Sequence, residues 1–228
     1  DRKSEGYGPS VKSFQKLIDK NVNLIITVDC GTMSFDAIDF ANSKKIDVIV
    51  LDHHQSEINL PNAFSIINPN RIDDNSNLKY LCAAGVCFMT LISINSLLRK
   101  SNWFEKNKIT EPDLLNFLDL VSLGTICDVV PLIGLNRAIV KQGLKIINLK
   151  KNLGLKTLID ICKIESKTST YHLGYVIGPR INAGGRVGKC SHGANLLLNN
   201  NPKESYQLAA ELEKFNTERK RLEKDLLN

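Results

Sequence analysis

Two short apolar runs, each closing on an acid, constrain the fold of this chain more than any other feature. Leu24-Ile-Ile-Thr-Val28 runs into Asp29, and Val48-Ile-Val-Leu51 runs into Asp52-His53-His54. Runs this short and this rich in β-branched residues read as strands buried on both faces, as in a parallel sheet. Between them, Gly31 permits a tight turn and Ser34 caps a helical pattern through Phe35, Ile38 and Phe40. Strand, helix, strand in so few residues is a βαβ unit, whose two strands lie parallel. Asp29 and the Asp52–His54 triplet therefore reach one sheet edge, although 52 − 29 = 23 positions separate them. Open α/β sheets hold their ligands at that carboxyl edge.

Carboxylate and imidazole together suit a borderline-to-hard divalent ion such as Mn2+. Neighbours on a strand point in opposite directions, so His53 and His54 are not expected to share one ion. A blander reading stays open at this level, in which Asp52 starts a turn and the histidines are loop residues.

Upstream, Val11, Phe14, Leu17 and Ile18 have helical spacing, and Ala63-Phe-Ser-Ile-Ile67 is a third apolar run, ended by Asn68-Pro69-Asn70. Cys82 to Leu98 is helical and nearly all apolar, which describes a helix packed deep on the sheet, with Cys82, Cys87 and Met89 in the core. Thr110-Glu-Pro-Asp113 reads as a helix start, leading through Leu114 and Val121 to Gly124-Thr-Ile-Cys-Asp128. Asp128 is an acid inside an apolar stretch, so it is expected to be paired, hydrogen-bonded, metal-bound or capping the next segment. Asn136 caps a helix through Asn148. Asn201-Pro-Lys-Glu204 starts a long amphipathic helix whose narrow stripe is Leu208, Leu212, Phe215, Leu222 and Leu226.

Thirty basic against twenty-four acidic residues give a net charge of +6, which suits a polyanion and equally a solvated lysine-rich surface. The six cysteines include no Cys-x-x-Cys pair, so they read as small core residues in a reducing cytoplasm. No apolar segment approaches the roughly 20 residues that span a bilayer, and no membrane association is expected. The opening Asp1-Arg-Lys-Ser-Glu-Gly-Tyr7-Gly-Pro reads like the middle of a protein, so the chain is expected to be a fragment.

Thr27-Val-Asp29-Cys-Gly-Thr, Leu51-Asp52-His53-His54 and Ser122-Leu-Gly-Thr-Ile-Cys-Asp128-Val-Val-Pro-Leu132 resemble, in order, the second, third and fourth motifs of the DHH phosphoesterases. Ile177-Gly-Pro-Arg180-Ile-Asn182-Ala-Gly-Gly-Arg186-Val, with the opening segment, is similar to the RecJ branch of that family, exonucleases specific for single-stranded DNA. Ordered blocks with compatible spacing are far more specific than any one alone. The family's Asp-x-Asp first motif would precede Asp1, and its accessory domain with a Gly-Gly-His motif would follow residue 228.

The resemblance implies an α/β fold, a mostly parallel sheet flanked by helices, followed by a long connector helix. Residues 1–165 would form the catalytic domain lacking its first motif, and 166–228 an active-site-facing arginine segment and the connector. It implies 5′→3′ hydrolysis of single-stranded DNA in repair and recombination, with two Mn2+ ions, Mg2+ being an alternative, about 3.5–4 Å apart. Asp29 would bridge the ions, with His53 and Asp128 as further ligands. His54 would meet the phosphate or donate a proton, and Asp52 would orient an imidazole. Arg180 would contact the scissile phosphate, supported by Asn182 and Arg186, with Arg2 and Tyr7 at the 5′ end. A helicase or single-strand-binding protein would be the partner. The alternatives are a DHH enzyme acting on short oligonucleotides or cyclic dinucleotides, and a non-catalytic DNA-binding relative. Without the first motif, the 228 residues alone are expected to be catalytically silent.

Overall fold

The computed structural model describes residue 6, residues 8–187 and residues 190–227. The chain divides into two compact units, one ending at Leu115 and the other beginning at Asn116. The boundary expected at 165 separates motifs, whereas this division follows packing and falls earlier. No helix among the described residues is long and apolar enough to cross a membrane.

In the first unit, helix α1 (Val11–Ile18) opens on a reciprocal cap, Ser10 and Ser13 each accepting from the other's backbone N–H. Strands β1 (Leu24–Val28), β2 (Asp47–Leu51) and β3 (Ser65–Ile67) form one parallel sheet in the order β1-β2-β3. Leu24 pairs with Asp47 and Val28 with Leu51, and Leu51 pairs in turn with Ile67. All three strands thus end level, which brings Asp29, Asp52 and Asn68 to one edge. Helix α2 (Phe35–Ser43) makes the crossover, and its Ala37, Ile38 and Ala41 pack with Phe14, Val48 and Val50 as the core.

The expectation of strands buried on both faces fails for β1. Its residues alternate, with Ile25 and Thr27 buried but Ile26 53% and Val28 49% exposed. The covered face is the one that meets the α1 and α2 side chains. The other borders a trough of about 1100 Å3 between Ile26, Ile49 and Leu51 on the sheet and Val86, Met89 and Leu97 of helix α3 (Ala83–Lys100). The apolar residues of helix α3 are correspondingly buried in its first half, at Ala83, Val86 and Phe88, while Leu91, Ile94 and Leu97 are exposed and Asn95 is the buried residue of its second half. Cys82 is buried as expected and accepts from Gly85 N–H at the helix start, and Cys87 and Met89 are half-buried.

The second unit is helical: α4 (Leu118–Cys127), α5 (Gly134–Asn148), α6 (Leu153–Ile161), α7 (Gly178–Val187), α8 (Ser191–Leu198) and α9 (Pro202–Leu227). A π-helical turn, His172–Ile177, leads directly into α7. Leu155, Leu158, Leu173, Ile177, Leu196 and Leu212 form the centre of its core. Two helix starts differ from expectation. Thr110 does not cap: Glu111 is taken by Asn95 and Arg99, Asp113 accepts from Leu115 N–H, and a 3-10 turn (Leu114–Phe117) precedes α4. Asn136 lies inside the first turn of α5, fully buried, and donates back to the Pro131 carbonyl. Asn201 behaves as expected, its Oδ1 accepting from Lys203 and Glu204 N–H ahead of Pro202.

The stripe of α9 packs into the core of this unit along its first half. Ala209 and Leu212 are fully buried and Leu208 and Phe215 pack around them, whereas Leu222 is exposed and the Leu226 side chain lies outside the described residues. Helices α4 and α5 meet at Gly143, where an added Cβ would stand 1.7 Å from Ser122 Oγ and 2.2 Å from the Leu118 carbonyl oxygen. Backbone cannot rotate away as a side chain can. Gly143→Ala is therefore expected to cost about 3 kcal/mol, the top of the range for overpacking. A denaturant midpoint equal to that of the wild type would show that the two helices part freely.

Candidate metal centre

The turn after β1 is built for close approach. Asp29 adopts a left-handed conformation (φ 63), its N–H still donating to the Leu51 carbonyl at 3.0 Å. Asp tolerates this conformation better than most residues. Gly31 follows at φ 118, and a Cβ there would lie 2.5 Å from Thr27 Oγ1, so the turn requires glycine. That turn delivers the Thr32 N–H to Asp52 Oδ2 at 3.0 Å.

Asp52 is buried, with 2% of its surface exposed, and it is an acceptor hub. Oδ1 accepts from His53 N–H (2.8 Å) and His54 N–H (3.3 Å) and lies 2.7 Å from His54 Nδ1. Burial pushes its carboxyl up, but hydrogen bonds from Thr32, His54 and His53 outweigh that and hold it at about 2. The Asp52 carboxylate thus holds the Nδ1 edge of the His54 ring and leaves Nε2 on the ring's far side.

The expectation that His53 and His54 face apart is overturned. Their ring centroids are 4.6 Å apart, and one ligand atom from each of Asp29, His53 and His54 lies within 4.8 Å of the others. His53 Nε2 is 3.1 Å from Asp29 Oδ1. The reason is that β2 ends at Leu51, so the two-residue alternation no longer governs positions 53 and 54. His53 is largely enclosed (13% exposed), while Asp29 (62%) and His54 (45%) open to solvent. One carboxylate oxygen and two imidazole nitrogens at this separation fit a divalent cation. Cys30 sits beside them, and burial, then the charges of Asp52 and Asp29, push its thiol up.

Asp128 belongs to the other unit. It is exposed, at the C-terminal end of α4, its N–H donating to the Gly124 carbonyl, and is not the buried acid that its apolar neighbours suggested. The next residue, Val129, has φ 59 and is 87% exposed. A β-branched residue in the left-handed region is an outlier.

The arginine segment is helical, so the N–H groups inside α7 are occupied by its own carbonyls and are not open to a phosphate. Arg180 is bonded to Glu213 through Nε and Nη2 and donates from Nη1 to the Val176 carbonyl at 2.7 Å. Asn182 and Arg186 are exposed. His172 Nδ1 accepts from the Ser169 N–H, and His192 Nε2 lies against Glu211. Arg2 and Tyr7 lie outside the described residues. Sequence reading missed Thr32, Asn68 and Asn70 as parts of the site. The signal was a second polar cluster ending a third strand of the same sheet.

Residues 4–125 match the DHH family, N-terminal domain. The single-stranded-DNA-specific exonuclease RecJ of Escherichia coli (strain K12) is 39% identical over 228 residues, covering 99% of this chain and 40% of that protein. RecJ of Bacillus subtilis (strain 168) is 34% identical over 97% of this chain and 26% of its own length. Among solved structures, exonuclease RecJ bound to manganese superimposes with a TM-score of 0.84 at 30% identity, over 99% of this chain and 54% of that one. RecJ in complex with Mn2+ from Thermus thermophilus gives 0.79 at 29% identity, over 96% and 31%. The chain thus spans 40% or less of the curated relatives named here.

Proposed function

The chain belongs to the DHH family, and from that premise we propose that it hydrolyses phosphodiester bonds in single-stranded DNA, 5′→3′, with Mn2+ as the metal. The observation that carries the reading is the convergence of Asp29, His53 and His54 over a buried Asp52 at the carboxyl edge of the sheet. Bound there, divalent cations would supply positive charge to the phosphate and activate water. Asp29 and His53 hold the metal, with Asp128 as a further ligand. His54, oriented by Asp52, meets the phosphate through Nε2 or gives up a proton there. Asn182 and Arg186 bind substrate phosphates, and Arg180 does so only by exchanging Glu213 for the substrate. In this reading residues 1–165 carry catalysis, and 166–228 carry substrate contacts and a connector. Arg2 and Tyr7 hold the 5′ end. The setting is cytoplasmic DNA repair and recombination, with a helicase or single-strand-binding protein as partner.

The test is a digestion series with the full-length protein and Mn2+, on 5′- and 3′-labelled single strands, duplexes and cyclic dinucleotides. Mononucleotide release from the 5′ end of single strands alone is expected. Preference for cyclic dinucleotides would move the chain to another DHH activity, and binding without turnover would make it a non-catalytic relative. Arg180→Ala is expected to raise KM about 10- to 100-fold, as losing one charged hydrogen bond of about 1.5–3 kcal/mol implies, with Mn2+ affinity unchanged. Unchanged KM would leave Arg180 as a brace for Glu213 only.

A further inference from the structure

We infer that Asn68 and Asn70 are positioning residues for this site, holding the carbonyl groups of His54 and His53 so that the two imidazoles converge. The inference rests on the proposed function, in which those imidazoles serve the metal and the phosphate.

The problem they solve is a backbone one. Up to Asp52 the chain is held by the sheet, with the Asp52 N–H donating to the Ile67 carbonyl at 3.0 Å. Beyond that point the ladder stops, and the carbonyls of residues 53 and 54 have no strand to bond. Carbonyl groups left without donors would allow peptide rotation, and each rotation swings an imidazole away from its neighbour. The strand that pairs with β2 supplies the replacement. Just past the end of β3, Asn68 Nδ2 donates to the His54 carbonyl and to Thr32 Oγ1, both at 2.9 Å. Asn70 Nδ2 donates to the His53 carbonyl at 2.6 Å and to the Lys79 carbonyl at 3.3 Å.

The two residues are also tied together, since Asn68 Oδ1 accepts from the Asn70 backbone N–H at 2.8 Å. Asn68 is 3% exposed and thus spends its amide wholly inside the protein. Only an amide can do this work at this size. An Asp would set a carboxylate against carbonyl oxygens, and an aliphatic residue would donate nothing. Thr32 closes the circuit, because its N–H serves Asp52 and its hydroxyl is fixed by Asn68. Metal-oriented side chains commonly depend on such outer partners, whose loss costs about 10–100-fold in metal affinity or activity.

The experiment titrates the full-length wild type, Asn70→Ala and Asn68→Ala with Mn2+, following the paramagnetic resonance of unbound Mn2+. It also measures kcat and KM on a single-stranded oligonucleotide. Asn70 is only half-buried and is the safer variant should Asn68→Ala not fold. Asn70→Ala is expected to weaken Mn2+ binding at least about tenfold at unchanged stoichiometry, and Asn68→Ala to lower kcat/KM at least as much. A merely structural role would instead reduce the number of sites and leave the dissociation constant of the remainder at the wild-type value, which would overturn the inference. So would variants that match the wild type throughout. A wild type that neither binds Mn2+ nor cleaves would overturn the reading of function, and the inference with it.

Discussion

Asp29→Asn is expected to reduce Mn2+-dependent hydrolysis more than about 100-fold, beyond the loss typical of residues that only orient a ligand. Its stability should stay within about 0.5 kcal/mol of wild type, as for most surface substitutions. Both halves follow from the structure. The side chain is 62% exposed and faces His53 Nε2, so it contributes its charge to the site and little to packing. Asn is the appropriate replacement because Asp29 has φ 63, a conformation Asn accepts and Ala resists. Activity on a single-stranded oligonucleotide and the thermal midpoint, measured on the same preparation, check the two together. Wild-type turnover would remove Asp29 from the metal site.

Asp52→Ala is expected to fail in both respects. It removes the acceptor for the backbone N–H groups of Thr32, His53 and His54 and for His54 Nδ1. Buried donors left unsatisfied cost about 1–3 kcal/mol each, so a loss of about 3–4 kcal/mol is expected after partial relaxation. Activity should fall about 100-fold or more as the His54 ring loses its orientation. The pH dependence has a definite sign. The carboxyl is held at about 2 against its ordinary 3.8, so its contribution is complete above about pH 4 and is lost as pH falls through 2. Denaturation midpoints across that range, wild type against variant, check this: the gap should close as the pH falls. A constant gap would mean that Asp52 stabilises by shape and not by charge.

How much of the fold is legible in the sequence depends on how local the cause is. Strands β1 and β2 can be read because an apolar, β-branched run bounded by polar residues is a local pattern, and their parallel pairing follows from the short crossover. The cap at Asn201 is legible for the same reason. The depth of burial is not. Leu24 to Val28 is apolar but for Thr27, yet Ile26 and Val28 are exposed, because coverage of a face depends on which helices come back to it. What covers the stripe of α9 is equally hidden, since Leu212 shares its core with residues of helices distant in sequence, such as Leu158 (212 − 158 = 54).

The candidate site divides along the same line. Sequence alone determined which residue types stand at the ends of the first two strands, and that parallel pairing sets both ends on one edge. Those facts need only residue identity, period and chain direction. Only the tertiary structure decided that His53 and His54 converge, since that depends on where β2 stops and on amides arriving from beyond β3. It alone placed Arg180 against Glu213 and set Asp128 at an exposed helix end. Side-chain direction past the end of a strand is set by hydrogen bonds from residues distant in the chain, and no local pattern encodes those.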